Sequence, residues 1–198
     1  VVREPSARWV RAAPPATESD ALLWARAAEG DQDAFGELFQ RHVAAVWNYG
    51  YRLTGSWERA EDLTSTVFLT AWRRRRSVIL VRESALPWLF TVMGNAVRDE
   101  TRGMRRRLML ARRVGTPDDV ADHAESVASR VDGDLSIRRI AEMVAGLPVA
   151  QRRVVQLCLF GELPQAQAAE ILGVTVVTVR SNLSRARARL RQLMEGQA

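Results

Sequence analysis

Arg180, Ser181, Ser184, Arg185, Arg187 and Arg189 carry the most distinctive chemistry in the sequence, because at helical spacing they would share one outward surface. A guanidinium fork matches guanine O6 and N7 in the major groove or a phosphate, and a hydroxyl meets either. Five arginines and no acid occur from Arg180 to Arg191, so a polyanion is the expected partner of this face. Groups suited to catalysis are scattered instead. His42 and His123 have no Cys, His or carboxylate placed beside them as a zinc site or a general base would need, and they read as satisfied or solvated. Cys158 falls on an apolar stripe and reads as a buried, inert thiol. Glu61 and Asp62 are adjacent, and neighbours on a helix point in different directions. With no glycine-rich phosphate loop, neither an active site nor a cofactor nor a metal is expected.

The elements that would position the arginines are legible upstream of them. Pro164 can open a short helix, Ala168 and Ala169 are small enough for a second helix to cross closely, Gly173 supplies the turn, and Thr175 caps the helix that follows. Ile171, Leu172, Val174, Val179 and Leu183 are expected to hold the pair together, leaving Val176 and Val177 outside with the arginines. This is helix-turn-helix geometry. Before it, Leu135, Ile137, Ile140, Val144 and Leu147 line one helix, and Val149 to Phe160 form another that stops at Gly161.

The N-terminal half is a separate helical unit. Helices are expected over Asp20 to Glu29, from Asp31 or Asp33 to about Gly55, from a Ser56 cap to Arg76, and from a Ser84 cap to about Arg102, with Pro87 tolerated in the first turn. Ser77 to Glu83 interrupts the pattern with β-branched residues. The fold class is therefore all-α, with two small helical domains, 20–102 and 134–195, joined by a flexible linker over 103–133. Residues 102–113 hold six arginines and no acid, and 117–134 hold six acids against Arg130 alone, so that stretch reads as solvated. Residues 1–19, with Pro5, Pro14 and Pro15 but no continuous apolar run, read as a flexible extension and not a signal peptide.

Bulk properties agree with a nucleic-acid partner. The 198 residues carry a net charge of +6, all 29 basic residues are arginine, and 47% of residues are hydrophobic, enough for real cores. One cysteine excludes an internal disulfide and makes the cytoplasm the natural compartment. No apolar run approaches the roughly 18 to 20 residues that cross a bilayer, so no membrane insertion is expected.

The run from Leu147 to Leu190, LPxxQRxVxxL followed by AAEILGVTxxTVRSxLxRARxxL, closely resembles region four of the bacterial extracytoplasmic-function (ECF, group IV) sigma factors of the sigma-70 family. The first domain resembles region two, through GDQDAFGELFQRH, YRLTGSWERAEDLTSTVFLTAWR and PWLFTVMGNAVRDETR in the family's order. The resemblance implies a dissociable subunit of RNA polymerase that recognises a promoter and starts its opening. Core-polymerase docking would fall on Asp62, Leu63, Ser65 and Thr66 against the β′ clamp helices, with the second domain near the β flap. Ser65 and Thr66 stand where the family usually has glutamine and glutamate, so apolar Leu63, Val67 and Phe68 either take more of that contact or face their own domain core, Val67 fitting both readings equally.

For the minus-ten element the resemblance points to the loop Ser77, Val78, Ile79, Leu80, Val81 and Arg82, with Asn95 and Arg98 on the next helix and Trp88 as a base-stacking or core residue. SVILVRES is unusually apolar for a loop in that role. For the minus-thirty-five element it points to Arg180, Ser181, Ser184 and Arg185, with Arg187 on phosphate, while Asn182 replaces a frequent basic residue. Many family members are silenced by an anti-sigma factor, a partner that a loose tether would admit. Two other readings compete. A stand-alone helix-turn-helix regulator would need no first domain of this kind, and a nucleic-acid-processing enzyme would need clustered carboxylates or a phosphate loop.

Overall fold

The computed structural model describes residues 18–80, 83–114 and 131–195. Helix α1 (Asp20–Glu29) starts where the Ser19 hydroxyl accepts the Leu22 N–H and closes at Gly30, whose N–H reaches the Ala27 carbonyl at 3.0 Å. Helix α2 (Gln32–Thr54) is capped by Asp31, which accepts from the Asp33 and Ala34 N–H groups, both at 3.0 Å. Helix α3 (Trp57–Arg74) follows the Ser56 cap, and α4 (Leu86–Val114) begins after the Ser84 hydroxyl has accepted the Leu86 N–H.

These four helices bury one apolar stripe each into a common core, with Leu23, Val46, Val67, Leu89 and Met93 fully enclosed. A second cluster forms on the far side of α2, where Trp47 stacks on Tyr51 at 5.2 Å and Trp57 meets Trp47 edge-on.

The second unit comprises α5 (Val131–Ala145), α6 (Val149–Val155), α7 (Gln165–Leu172) and α8 (Val176–Glu195). Val144, Val154, Val155, Ala168 and Val179 form its centre. After α6 the chain widens into one π-helical turn over Gln156–Phe160, a feature that apolar periodicity could not reveal.

The expected linker is corrected at its start. Helix α4 does not end near Arg102 but continues through the arginine run to Val114. A lone Gly103 costs only about 1 kcal/mol in a helix, and Arg, Leu and Met are good helix formers. Positive charge also suits a helix C-terminus. Residues 115–130, with His123, lie outside the described residues, as do 1–17.

The units pack against each other along α2 and α4. The Arg52 guanidinium donates to the Phe160 carbonyl at 2.7 Å and pairs with Glu162 at 2.7 Å. At Gly55 two demands coincide: φ is +63°, and a Cβ would stand 2.4 Å from the Arg138 Cα of α5. Ile137 of α5 packs on the Trp47 cluster, and Phe90 of α4 lies against Gly161. Among the described residues no helix is long and apolar enough to cross a membrane.

Candidate nucleic-acid interface

Helix α8 is aimed by its contacts with α7. Ala168 and Ala169 are buried at the crossing, Gly173 turns the chain at φ +65°, and the Thr175 hydroxyl accepts the Thr178 N–H at 3.2 Å. Val179, Leu183 and Ala186, spaced four and three apart, anchor the inner face. Arg180, Ser184, Arg185 and Arg187 are exposed and Ser181 is half-buried, so the five expected reading residues share the outer side of one capped helix. No ion pair among the described residues holds any of these arginines, which leaves their forks free for an external anion. Asn182 Nδ2 is occupied at the Thr178 carbonyl, 3.0 Å away. Val174 departs from expectation: it is 41% exposed and joins Val176 and Val177 outside, because Gly173 carries the chain out of the α7–α8 crossing.

The second candidate surface lies where the α3–α4 loop meets α4. Its unusual apolarity has a structural cause. Val78 and Leu80 pack inward against the core, whereas Ile79 is 86% exposed. Ser77 is exposed with its hydroxyl on the Arg74 carbonyl, and Val81 and Arg82 lie outside the described residues. Trp88 is half-buried, edge-on to Trp24 at 5.2 Å, and with Ile79 and Pro87 it lines an open groove whose other wall is Gln167, Glu170 and Ile171 of α7. Trp88 is therefore both a packing residue and part of a groove wall.

Asn95 and Arg98 sit one turn apart on α4, both exposed and hydrogen-bonded to each other. Arg98 Nε also donates to the Gly94 carbonyl at 3.2 Å. Partial burial pulls the Arg98 guanidinium below its ordinary pKa, and the positive charges of Arg153, Arg102 and Arg152 add to the effect. Arginines of α4 and α6 thus converge at Arg98, with Asp99 as the opposing charge.

The third group lies on α3. Asp62, Ser65 and Thr66 are exposed, and the Ser65 and Thr66 hydroxyls bond back to the carbonyls of Glu61 and Asp62 at 3.1 and 2.9 Å. Leu63, Val67 and Phe68 are at most 6% exposed, which supports reading them as core residues of their own domain, while Leu63 and Phe68 also line surface grooves. The exposed apolar residue of that face is Leu69, which rims a shallow groove with Phe35, Phe39, Ser65 and Trp72. Its place four residues after Ser65 was the available signal.

His42 is satisfied, as expected, but through a partner 22 positions away: its Nε2 lies 2.6 Å from Asp20 Oδ2 in a buried site. Cys158 is half-buried, and burial pushes its thiol above the ordinary value against the opposing charge of Arg187, which suits an inert group.

Residues 38–107 match the family description Sigma-70 region 2, and residues 137–190 match Sigma-70, region 4. The ECF RNA polymerase sigma factor SigL of Mycobacterium tuberculosis is 34% identical over 146 residues, covering 74% of this chain and 80% of the relative. The RNA polymerase sigma factor CnrH of Cupriavidus metallidurans is 30% identical over 183 residues, covering 90% and 95%. Among solved structures, CnrH in complex with the cytosolic domain of CnrY gives a TM-score of 0.66 at 27% identity, over 90% of this chain and 99% of that one. The sigma factor RpoE in complex with the anti-sigma factor NepR from Bartonella quintana gives 0.56 at 25% identity, over 81% and 96%. With both regions matched in this order and identity sustained across such relatives, the chain belongs to the ECF sigma factors of the sigma-70 family.

Proposed function

We propose that this sigma factor joins core RNA polymerase through the exposed α3 face and reads two separate promoter elements with its two domains. The observation that carries the reading is α8. It is a capped helix whose inner face is anchored by Val179, Leu183 and Ala186 and whose outer face presents Arg180, Arg185 and Arg187, with no ion-pair partner among the described residues, beside Ser184. Such a helix fits the major groove, with guanidinium forks on guanine or phosphate, and supports recognition of the minus-thirty-five element by the second domain. Asn95, Arg98 and the loop around Ile79 supply the minus-ten surface, where a base leaves the stack and is held beside apolar and aromatic walls. Asp62, Ser65 and Thr66, extended by Leu69, supply the contact with the β′ clamp helices, and the second domain lies near the β flap. Catalysis belongs to the polymerase, and the protein works where that enzyme does, in the cytoplasm.

The matched spans leave only residues 108–136 between region 2 and region 4, which supports placement in group IV. The complex of RpoE with the anti-sigma factor NepR supports a partner of that kind for this chain as well. Purified protein added to core polymerase should direct transcription from a particular two-element promoter, and the protein alone should produce none. Tight binding to duplex sites without core, together with failure to co-purify with it, would favour a stand-alone regulator.

A further inference from the structure

Helix α1 precedes both matched spans, and nothing in the promoter-reading account uses it. Yet it holds the α3–α4 loop at both ends. At the entrance, the Trp24 indole Nε1–H donates to the Val78 carbonyl at 2.9 Å. At the exit, Asp20 Oδ2 accepts the Ala85 N–H at 2.8 Å. Asp20 and Trp24 are four residues apart, one helical turn of about 6 Å, so a single rigid element fixes the separation of the two loop ends.

The exit bond is itself fixed from behind. Asp20 Oδ2 lies 2.6 Å from His42 Nε2, and Oδ1 accepts from Arg41 at 3.3 Å. Burial alone would raise the carboxyl pKa, but the bonds from His42, the Ala85 N–H and Arg41, with the charge of His42, outweigh it and hold Asp20 below its ordinary value. An ionised acceptor makes the bond to Ala85 a charge-assisted one. The Trp24 ring also backs Trp88, the aromatic residue in the first turn of α4.

We infer that Asp20 and Trp24 are positioning residues for minus-ten selection, setting through Ala85 and Val78 the path on which Ile79 is presented. Because Val78 and Leu80 point inward while Ile79 points out, movement of the Val78 carbonyl turns the outward residue with it. The inference rests on the reading of this loop as the minus-ten surface, and the experiment separates the two.

Trp24→Phe removes the indole donor while keeping an aromatic ring, and Asp20→Asn removes the charge. Each full-length variant is assayed with core polymerase on two template pools, one randomised in the minus-ten element and one in the minus-thirty-five element. A third variant, with residues 77–83 replaced by those of a relative, reports on the loop reading alone. The expected result is a change of about fivefold in the relative use of minus-ten sequences by Trp24→Phe, the factor that one hydrogen bond supports, with the minus-thirty-five ranking unchanged. An equal drop on every template means that the two residues only stabilise the domain, and overturns the inference. If the loop exchange alters the minus-ten ranking while neither point variant does, the inference falls and the loop reading stands. If the loop exchange leaves the ranking as it was, both fall. Should Asp20→Asn fail to fold, Trp24→Phe decides.

Discussion

Arg180 and Arg185 separate two kinds of contact that look alike on a bare helix. A guanidinium bidentate to guanine discriminates one base, whereas the same group on phosphate strengthens every complex equally. Arg185→Ala is expected to cost about 1 to 3 kcal/mol on the preferred minus-thirty-five sequence and much less on a scrambled one, measured by competition between the two templates. Uniform weakening with a shallower salt dependence would assign Arg185 to the backbone instead. At this scale the sequence was informative about which side chains stand exposed on a helix, as those of Arg180, Arg185 and Arg187 do. It was uninformative where a residue acts through a distant partner. His42 looked isolated because its carboxylate lies 22 positions away, and Leu63 looked available because the α3 stripe gives no sign of which flank faces inward.

Helix ends were readable because capping is local. Ser19, Asp31, Ser56 and Thr175 each accept an N–H two or three residues ahead, a distance within which side-chain type decides the outcome. The far end of α4 was not readable. A run of arginines carries no apolar period, and with Gly103 as a weak breaker only the absence of a proline before Pro117 argued for continuation. The π turn after α6 escaped for a related reason, since an extra residue in one turn leaves composition unchanged. Thr175→Ala tests whether the cap is needed to aim α8. Loss of the hydroxyl is expected to destabilise the protein by about 1 kcal/mol in chemical denaturation. In the proposed docking the first turn of α8 lies nearest the groove, so minus-thirty-five binding should fall further than that loss of stability alone would produce. Binding that tracks stability one for one would place the contacts in the later turns.

At the scale of the molecule, the two units meet face to face on the surfaces proposed to read the minus-ten strand. The groove lined by Ile79 and Trp88 has α7 as its other wall, and Arg98 of α4 faces Arg152 and Arg153 of α6. Nothing in the sequence announced this seam, since Arg52 and Glu162 are 110 positions apart and each reads as an ordinary surface charge. The forces across it oppose one another. Phe90 on Gly161 and Ile137 on the Trp47 cluster favour closure, while the arginines of α4 and α6 oppose it. The Arg52–Glu162 pair is 31% and 74% exposed, which limits it to about 1 kcal/mol or less. Glu162 also adopts a φ of 55°, a left-handed conformation that a non-glycine residue holds at some cost. Glu162→Arg replaces that attraction with repulsion at an exposed site and leaves both cores intact. The free protein should then show a larger radius of gyration in small-angle X-ray scattering at low salt, returning toward the wild-type value as salt screens the new repulsion. The domain cores should melt at nearly unchanged temperature. An unchanged radius at low salt would mean that the apolar contacts alone close the seam, and promoter DNA would then have to displace them directly instead of exploiting a balance of charge.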